Sequence, residues 1–190
     1  MATTDVQVCN RALRHCRGPR ITSLNDASEA ARACKEVYDD KRRALLEGHP
    51  WNFAMLRGAL TPEISEAPVY EFDNTYLLPG GCLALRDVDG YFKAKQYQVE
   101  AGRILINDSG PLYIKYTSDA TADKFSPLFA EALALSVAID VLPTVQNSNV
   151  KRETLQRMFG QALGAAKRTD ALQNPPDEPV DDEWDLARLA

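Results

Sequence analysis

Ser126-Pro127-Leu128-Phe129-Ala130-Glu131-Ala132-Leu133-Ala134-Leu135-Ser136-Val137-Ala138-Ile139 is the stretch on which the architecture turns. Ser126 suits an N-cap, and Pro127 suits the first helical position, where a missing N–H costs nothing. The remainder is apolar nearly all round, so the helix it predicts is buried on most sides. Pro143 is expected to close it, because an interior proline removes a backbone donor and clashes with the preceding turn. A helix of this kind needs partners on several sides.

The flanks supply them. C-terminal to it, Asn149 or Val150 opens a last helix to about Leu172, with Leu155, Met158, Phe159, Ala162, Leu163 and Ala166 facing inward. Gly160 and Gly164 weaken that helix by about 1 kcal/mol each against Ala, and their spacing permits close helix approach. At the other end, Thr3 or Thr4 can cap a first helix with Asp5 in its first turn. Val6, Cys9, Ala12, Leu13 and Cys16 form its apolar stripe, Arg11, Arg14 and Arg17 lie off that stripe, and Gly18-Pro19 stops it. A second helix starts near Asn25, Asp26 or Ser28 and ends at Gly48-His49-Pro50. Trp51-Asn52-Phe53 then plugs the junction to the next part.

Between Leu60 and about Ser118 the helical periodicity disappears. Turn signals such as Pro79-Gly80-Gly81, Asp89-Gly90 and Ala101-Gly102 separate short pieces: Tyr70–Phe72, Thr75–Leu78, Leu83–Val88, Tyr97–Glu100, Arg103–Ile106 and Leu112–Tyr116. The alternation in Leu112–Tyr116 predicts a sheet with one wet face. The layout therefore predicts an α+β fold. A four-helix bundle-like domain is built from residues 1–58 and 119–172, and a small antiparallel β insert, 59–118, lies between helices 2 and 3. An extended C-terminal arm follows at 173–190.

That arm is proline-broken and acidic, yet it carries Val180, Trp184, Leu186 and Leu189. Repelling carboxylates favour an extended, solvated chain. Large apolar groups on such a segment mark it as a hook for its own domain, a neighbour or a partner, and these four residues are the candidate interface. The basic run Lys41-Arg42-Arg43 reads most simply as a solvated helix face. Its sharper reading is an intersubunit or phosphate contact.

Composition narrows the function classes. The 190 residues carry a net charge of -5, which argues against nucleic-acid binding through a basic field. No apolar run is expected to reach the roughly 20 residues that cross a bilayer. The N-terminus lacks the pattern of a secretory signal, so the chain is expected in the cytosol when made. Cys9, Cys16, Cys34 and Cys82 form no CxxC pair and read as buried small hydrophobes. No GxSxG, HExxH, Walker A or GxGxxG motif is present, and Gly80-Gly81 reads as a turn. His15 suits the dipole at the end of the first helix, and His49 a helix-end hydrogen bond. No catalytic, metal or cofactor residue is assigned. An enzyme reading, a tail-borne polysaccharide or cell-wall hydrolase, would need a carboxylate pair from Glu71, Asp73, Asp87 and Asp89. A host helical adaptor is a third reading.

With this layout the chain resembles the tail tubular protein A and head-to-tail adaptor family of tailed bacteriophages. The motifs that carry the likeness are Val8-Cys9-Asn10-Arg11-Ala12-Leu13, Ile21-Thr22-Ser23-Leu24, the Ala-rich Ala30 to Leu46 and Trp51-Asn52-Phe53-Ala54. Further on they are Tyr76 to Leu85, Gly102-Arg103-Ile104-Leu105-Ile106, Leu112 to Tyr116 and Phe129 to Ala134. The likeness spans about residues 5–170. Cys16-Arg17-Gly18-Pro19-Arg20 is more basic than the family's usual turn, and the acidic arm is not part of the shared pattern. The resemblance implies a non-enzymatic virion protein, found in the tail or neck and in the host cytoplasm during assembly. It implies a ring, usually dodecameric, that joins the portal to a tail nozzle or tube. Packaged DNA would pass through the lumen without specific binding, with no membrane involved.

Overall fold

Thr4 starts α1 (Asp5–His15) with a capping box: its hydroxyl accepts from the Gln7 backbone N–H, and the Gln7 side chain accepts from the Thr4 N–H. Ser28 caps α2 (Glu29–Glu47) by accepting from the Ala31 N–H. Ser126 and Pro127 open α3 (Pro127–Val145), and α4 (Asn149–Ala171) follows. The computed structural model describes residues 3–63, 70–89, 97–145 and 149–174.

Six strands lie between α2 and α3: β1 (Met55–Leu60), β2 (Asn74–Leu77), β3 (Cys82–Val88), β4 (Tyr97–Glu100), β5 (Arg103–Ile106) and β6 (Leu112–Ser118). They form two antiparallel three-stranded sheets, ordered β1-β6-β3 and β2-β5-β4. Tyr76, Ile104 and Ile106 from one sheet and Val88, Leu112 and Ile114 from the other make a second hydrophobic core, separate from the helical one.

This corrects the predicted four-helix bundle with one small β insert. The β part is two sheets around their own core. The helices are arranged as spokes, not as a bundle: α3 packs extensively on α1, α2 and α4, while α1 and α2 meet over a small area. A bundle gives each helix one apolar stripe. α3 is apolar nearly all round, with Phe129, Leu133, Val137 and Ala138 fully buried, and so becomes the hub. The predicted arm, 173–190, lies outside the described residues from 175 onward.

Other boundaries also differ. α3 continues through Pro143 to Val145, although Pro143 has no N–H to donate to the carbonyl four residues back, so only the last turn of the helix lies beyond that lost bond. At that length α3 is long and apolar enough to cross a membrane, contrary to the expectation, yet most of it is packed inside the protein. The sheet begins at Met55, four residues early, because Gly58 and the absence of alternation disguise β1. Tyr70–Phe72 is no strand: Phe72 N–H bonds the Tyr70 carbonyl around Glu71, whose φ is 67°. Ala101-Gly102 is a two-residue hairpin turn with both φ values positive.

Phe129 stacks edge-on against Trp51, Phe53 and Phe125, with ring centroids 4.7–5.1 Å apart. Phe129→Ala is expected to cost about 3–5 kcal/mol in urea unfolding, since it removes the ring shared by the hub and the interdomain segment.

Candidate functional site

The basic run on α2 sits at the seam between helices and sheets. Arg42 is buried at 7% exposure. Its Nη1 donates to Asp119 Oδ1 at 2.5 Å and to the Ala120 carbonyl at 2.7 Å, and its Nε donates to Asp39 at 3.2 Å. Burial works against this charge, but Asp119 and Asp39 more than offset it and hold the guanidinium above its ordinary pKa. Arg43 meets the other Asp119 oxygen at 3.0 Å, and Lys41 meets Asp140 of α3 at 2.7 Å. All three members of the expected intersubunit patch thus have partners within the chain. Arg43 is the one left mainly exposed.

A second joint holds the end of α4. The Asn52 backbone N–H donates to both Asp170 carboxylate oxygens, at 3.1 and 3.2 Å, and the Asn52 side chain donates to the Asp170 carbonyl at 2.6 Å. Trp51 Nε1 donates to the Leu45 carbonyl, and Asn174 donates to Asn52 Oδ1 at 2.7 Å. The Trp51-Asn52-Phe53 segment is therefore the mount from which the C-terminal arm departs. Val180, Trp184, Leu186 and Leu189, the expected hook, lie outside the described residues.

The four acids of the enzyme reading do not converge on one groove. Asp87 and Asp89 line a groove on the β1-β6-β3 sheet with Arg57 and Lys115, whereas Glu71 lines another with Glu100 and Arg103. The Asp73 N–H bonds Asn107. Cys9, Cys16 and Cys34 are buried and Cys82 is half-buried. A hydrogen bond to Cys34, together with burial, pushes the Cys9 thiol up, so it serves as a packing group. His15 meets Glu131 at 2.8 Å.

One feature was overlooked at the sequence level. Arg11, Arg14, Arg17 and Arg20, with Gln7 and Asn10, line an open groove of about 580 Å³ on the outer side of α1. Paired hydrogen bonds of 2.8 Å between the Asn10 side chain and the Ile21 backbone fold the 17–21 loop against the helix. The signal was present as a three-residue arginine spacing off the apolar stripe.

No protein-family model matches the chain, and no curated protein resembles it significantly.

Two predictions arise from the joints. Asp119→Ala strands a buried guanidinium and is expected to cost about 3–5 kcal/mol in chemical denaturation; Arg43→Ala, at the exposed end, should cost under about 1 kcal/mol. At the other joint, burial holds the His49 imidazole below its usual pKa, against the pull of Asp170 at 3.4 Å. The unfolded chain then binds this proton more readily, near pH 6.5, so about pH 6.5 and above the contribution is fully present. Stability is expected to fall as pH drops through 6.5 toward the folded pKa, and His49→Gln should flatten that slope in pH-dependent melting.

Proposed function

We propose that this protein is a structural component of a tailed-bacteriophage particle: a head-to-tail adaptor without catalytic activity. Its copies form a ring, dodecameric by family likeness, under the portal and above a tail nozzle or tube. DNA passes through the lumen without specific binding. The protein resides in the tail or neck of the virion and in the host cytoplasm during assembly.

The observation that carries this reading is the mount at Trp51-Asn52-Phe53. One of the segments that carry the family likeness is the one that anchors the end of α4, from which an acidic arm bearing Trp184 departs. A ring protomer needs different surfaces for its two neighbours. Met158, Phe159, Ala162 and Leu163 on α4 are only partly covered by the chain's own core, which leaves apolar area for such a contact. Trp is a frequent hot spot at interfaces.

Light scattering tests the reading. The full chain mixed with a phage portal ring is expected to give a complex with the mass of portal plus a ring of this protein. Removing Pro175–Ala190 should abolish that complex while leaving the circular dichroism unchanged. A chain indifferent to portal would overturn the proposal.

A further inference from the structure

The second core is open on one side. Val99 of β4 belongs to the cross-strand row Tyr76, Ile104, Val99, whose other two members are fully buried, yet Val99 is 48% exposed. Members of one row share a face of the sheet, so an inward-facing valine is left uncovered. Leu78, Cys82, Leu83, Leu85, Tyr97 and Val99 line a groove of about 490 Å³ between β3 and β4. Each of these strands is the last of its sheet, and a last strand carries backbone groups with no ladder partner. An apolar opening between two such strands suits the addition of an extended segment.

The chain's own end begins beside this opening. Glu47 forms one margin of the groove and lies two residues from His49, which meets Asp170 at 3.4 Å. Asp170 holds Asn52, and Asn52 holds Asn174. On the other margin, Cys82 pairs with Ser118, whose hydroxyl donates at 2.8 Å to the carbonyl of Ala54, two residues past Asn52. Groove and arm root therefore share one seam. Glu47 and Asn52 are five residues apart, so at most about 19 Å separates their Cα atoms, at about 3.8 Å per step. Extended chain from Pro175 to Trp184 spans about 30 Å, which covers that distance.

Pattern and charge select the segment. Glu183-Trp184-Asp185-Leu186 alternates polar and apolar, as a half-buried strand does. In extended form Trp184 and Leu186 take one face, and Glu183 and Asp185 the other. Arg86 of β3 donates only to neutral acceptors, the Thr117 hydroxyl at 2.7 Å and the Glu47 carbonyl at 2.6 Å, and makes no ion pair among the described residues. The arm brings the complementary charge. With six of the chain's 27 acids and one of its 22 basic residues in 175–190, the charges of the remaining body cancel, and the arm holds the whole net charge of -5. Tethering raises the local concentration of this segment above that of a free partner.

We propose that the groove between β3 and β4 is the docking site for segment 183–186 of the same chain, with Trp184 and Leu186 closing the second core. This contact stands independently of the adaptor reading. Within that reading, it stows the Trp184 hook on the free protomer until a stronger partner takes it.

Cys82 reports on the dock, because it lines the groove and is half-buried, whereas Cys9, Cys16 and Cys34 are buried. The full chain is treated with a maleimide and the labelled peptide is followed by mass. Cys82 is expected to react about tenfold faster in Trp184→Ser than in the wild type, as local docking shields it. Trp184→Ser should leave the circular dichroism unchanged, since both cores form without it. By nuclear magnetic resonance, the Trp184 indole N–H should be displaced from its random-coil position in the wild type and return to it in Val99→Asp, which sets a charge in the apolar groove. Equal labelling rates in wild type and Trp184→Ser, or a random-coil indole in the wild type, would overturn the proposal. So would protection of Cys82 that fades on dilution, which would mark a second copy's arm. Protection that depends on Trp184 in a chain indifferent to portal would support the dock and overturn the adaptor reading. Portal binding with equal labelling rates would do the reverse.

Discussion

Phe129, Leu133, Val137 and Ala138 are fully buried on a helix that has almost no polar side to offer water. Each large side chain buried in this way stabilises the fold by about 1.5–3 kcal/mol, provided every neighbour stays in place. α1, α2 and α4 are each amphipathic enough to cover one sector of α3 and leave a wetter surface outside. The arrangement is therefore radial: withdrawing any one of the three exposes part of the same apolar cylinder. It also explains why α4 has few buried residues of its own. It covers one side of α3, and among the described residues α3 is the helix that packs extensively on it.

The two cores have to be held in a fixed relation, and nonpolar contact alone does not specify one. Arg42 does. Its buried guanidinium joins α2 to Asp119 and Ala120, immediately after β6, and Asp119 N–H bonds the Gly81 carbonyl just before β3. A buried ion pair of this sort adds little net stability over an apolar replacement. Its value here is directional, because an unpaired Arg42 would be costly in any other arrangement of sheet and helix. Asp170 performs the corresponding task at the other side of the seam, where it satisfies the Asn52 N–H and so fixes the exit of α4.

The helices were legible because their caps and apolar spacing are local. Thr4, Ser28 and Ser126 all cap as their sequence context suggests. Five of the six strands were legible from alternation and turn residues. β1 was not, because Met55–Leu60 contains Gly58 and gains its strand character only by pairing with β6. The division of the strands into two sheets depends on long-range register, which no window of sequence carries. Lys41-Arg42-Arg43 misled for a similar reason. Its acid partners Asp119 and Asp140 are far away in sequence, so a run that looked available is internally neutralised. The α1 groove has the opposite history: the sequence places Arg11, Arg14 and Arg17 off the apolar stripe, and only the folded 17–21 loop brings Arg20 beside them.

Charge is therefore not spread over this molecule as its net value suggests. A pI near 5.1 describes the arm; the body is neutral and carries an arginine groove. The exclusion of DNA by a uniformly acidic surface does not follow for such a body. Electrostatic contacts made through such a groove are steering and register devices more than sources of affinity.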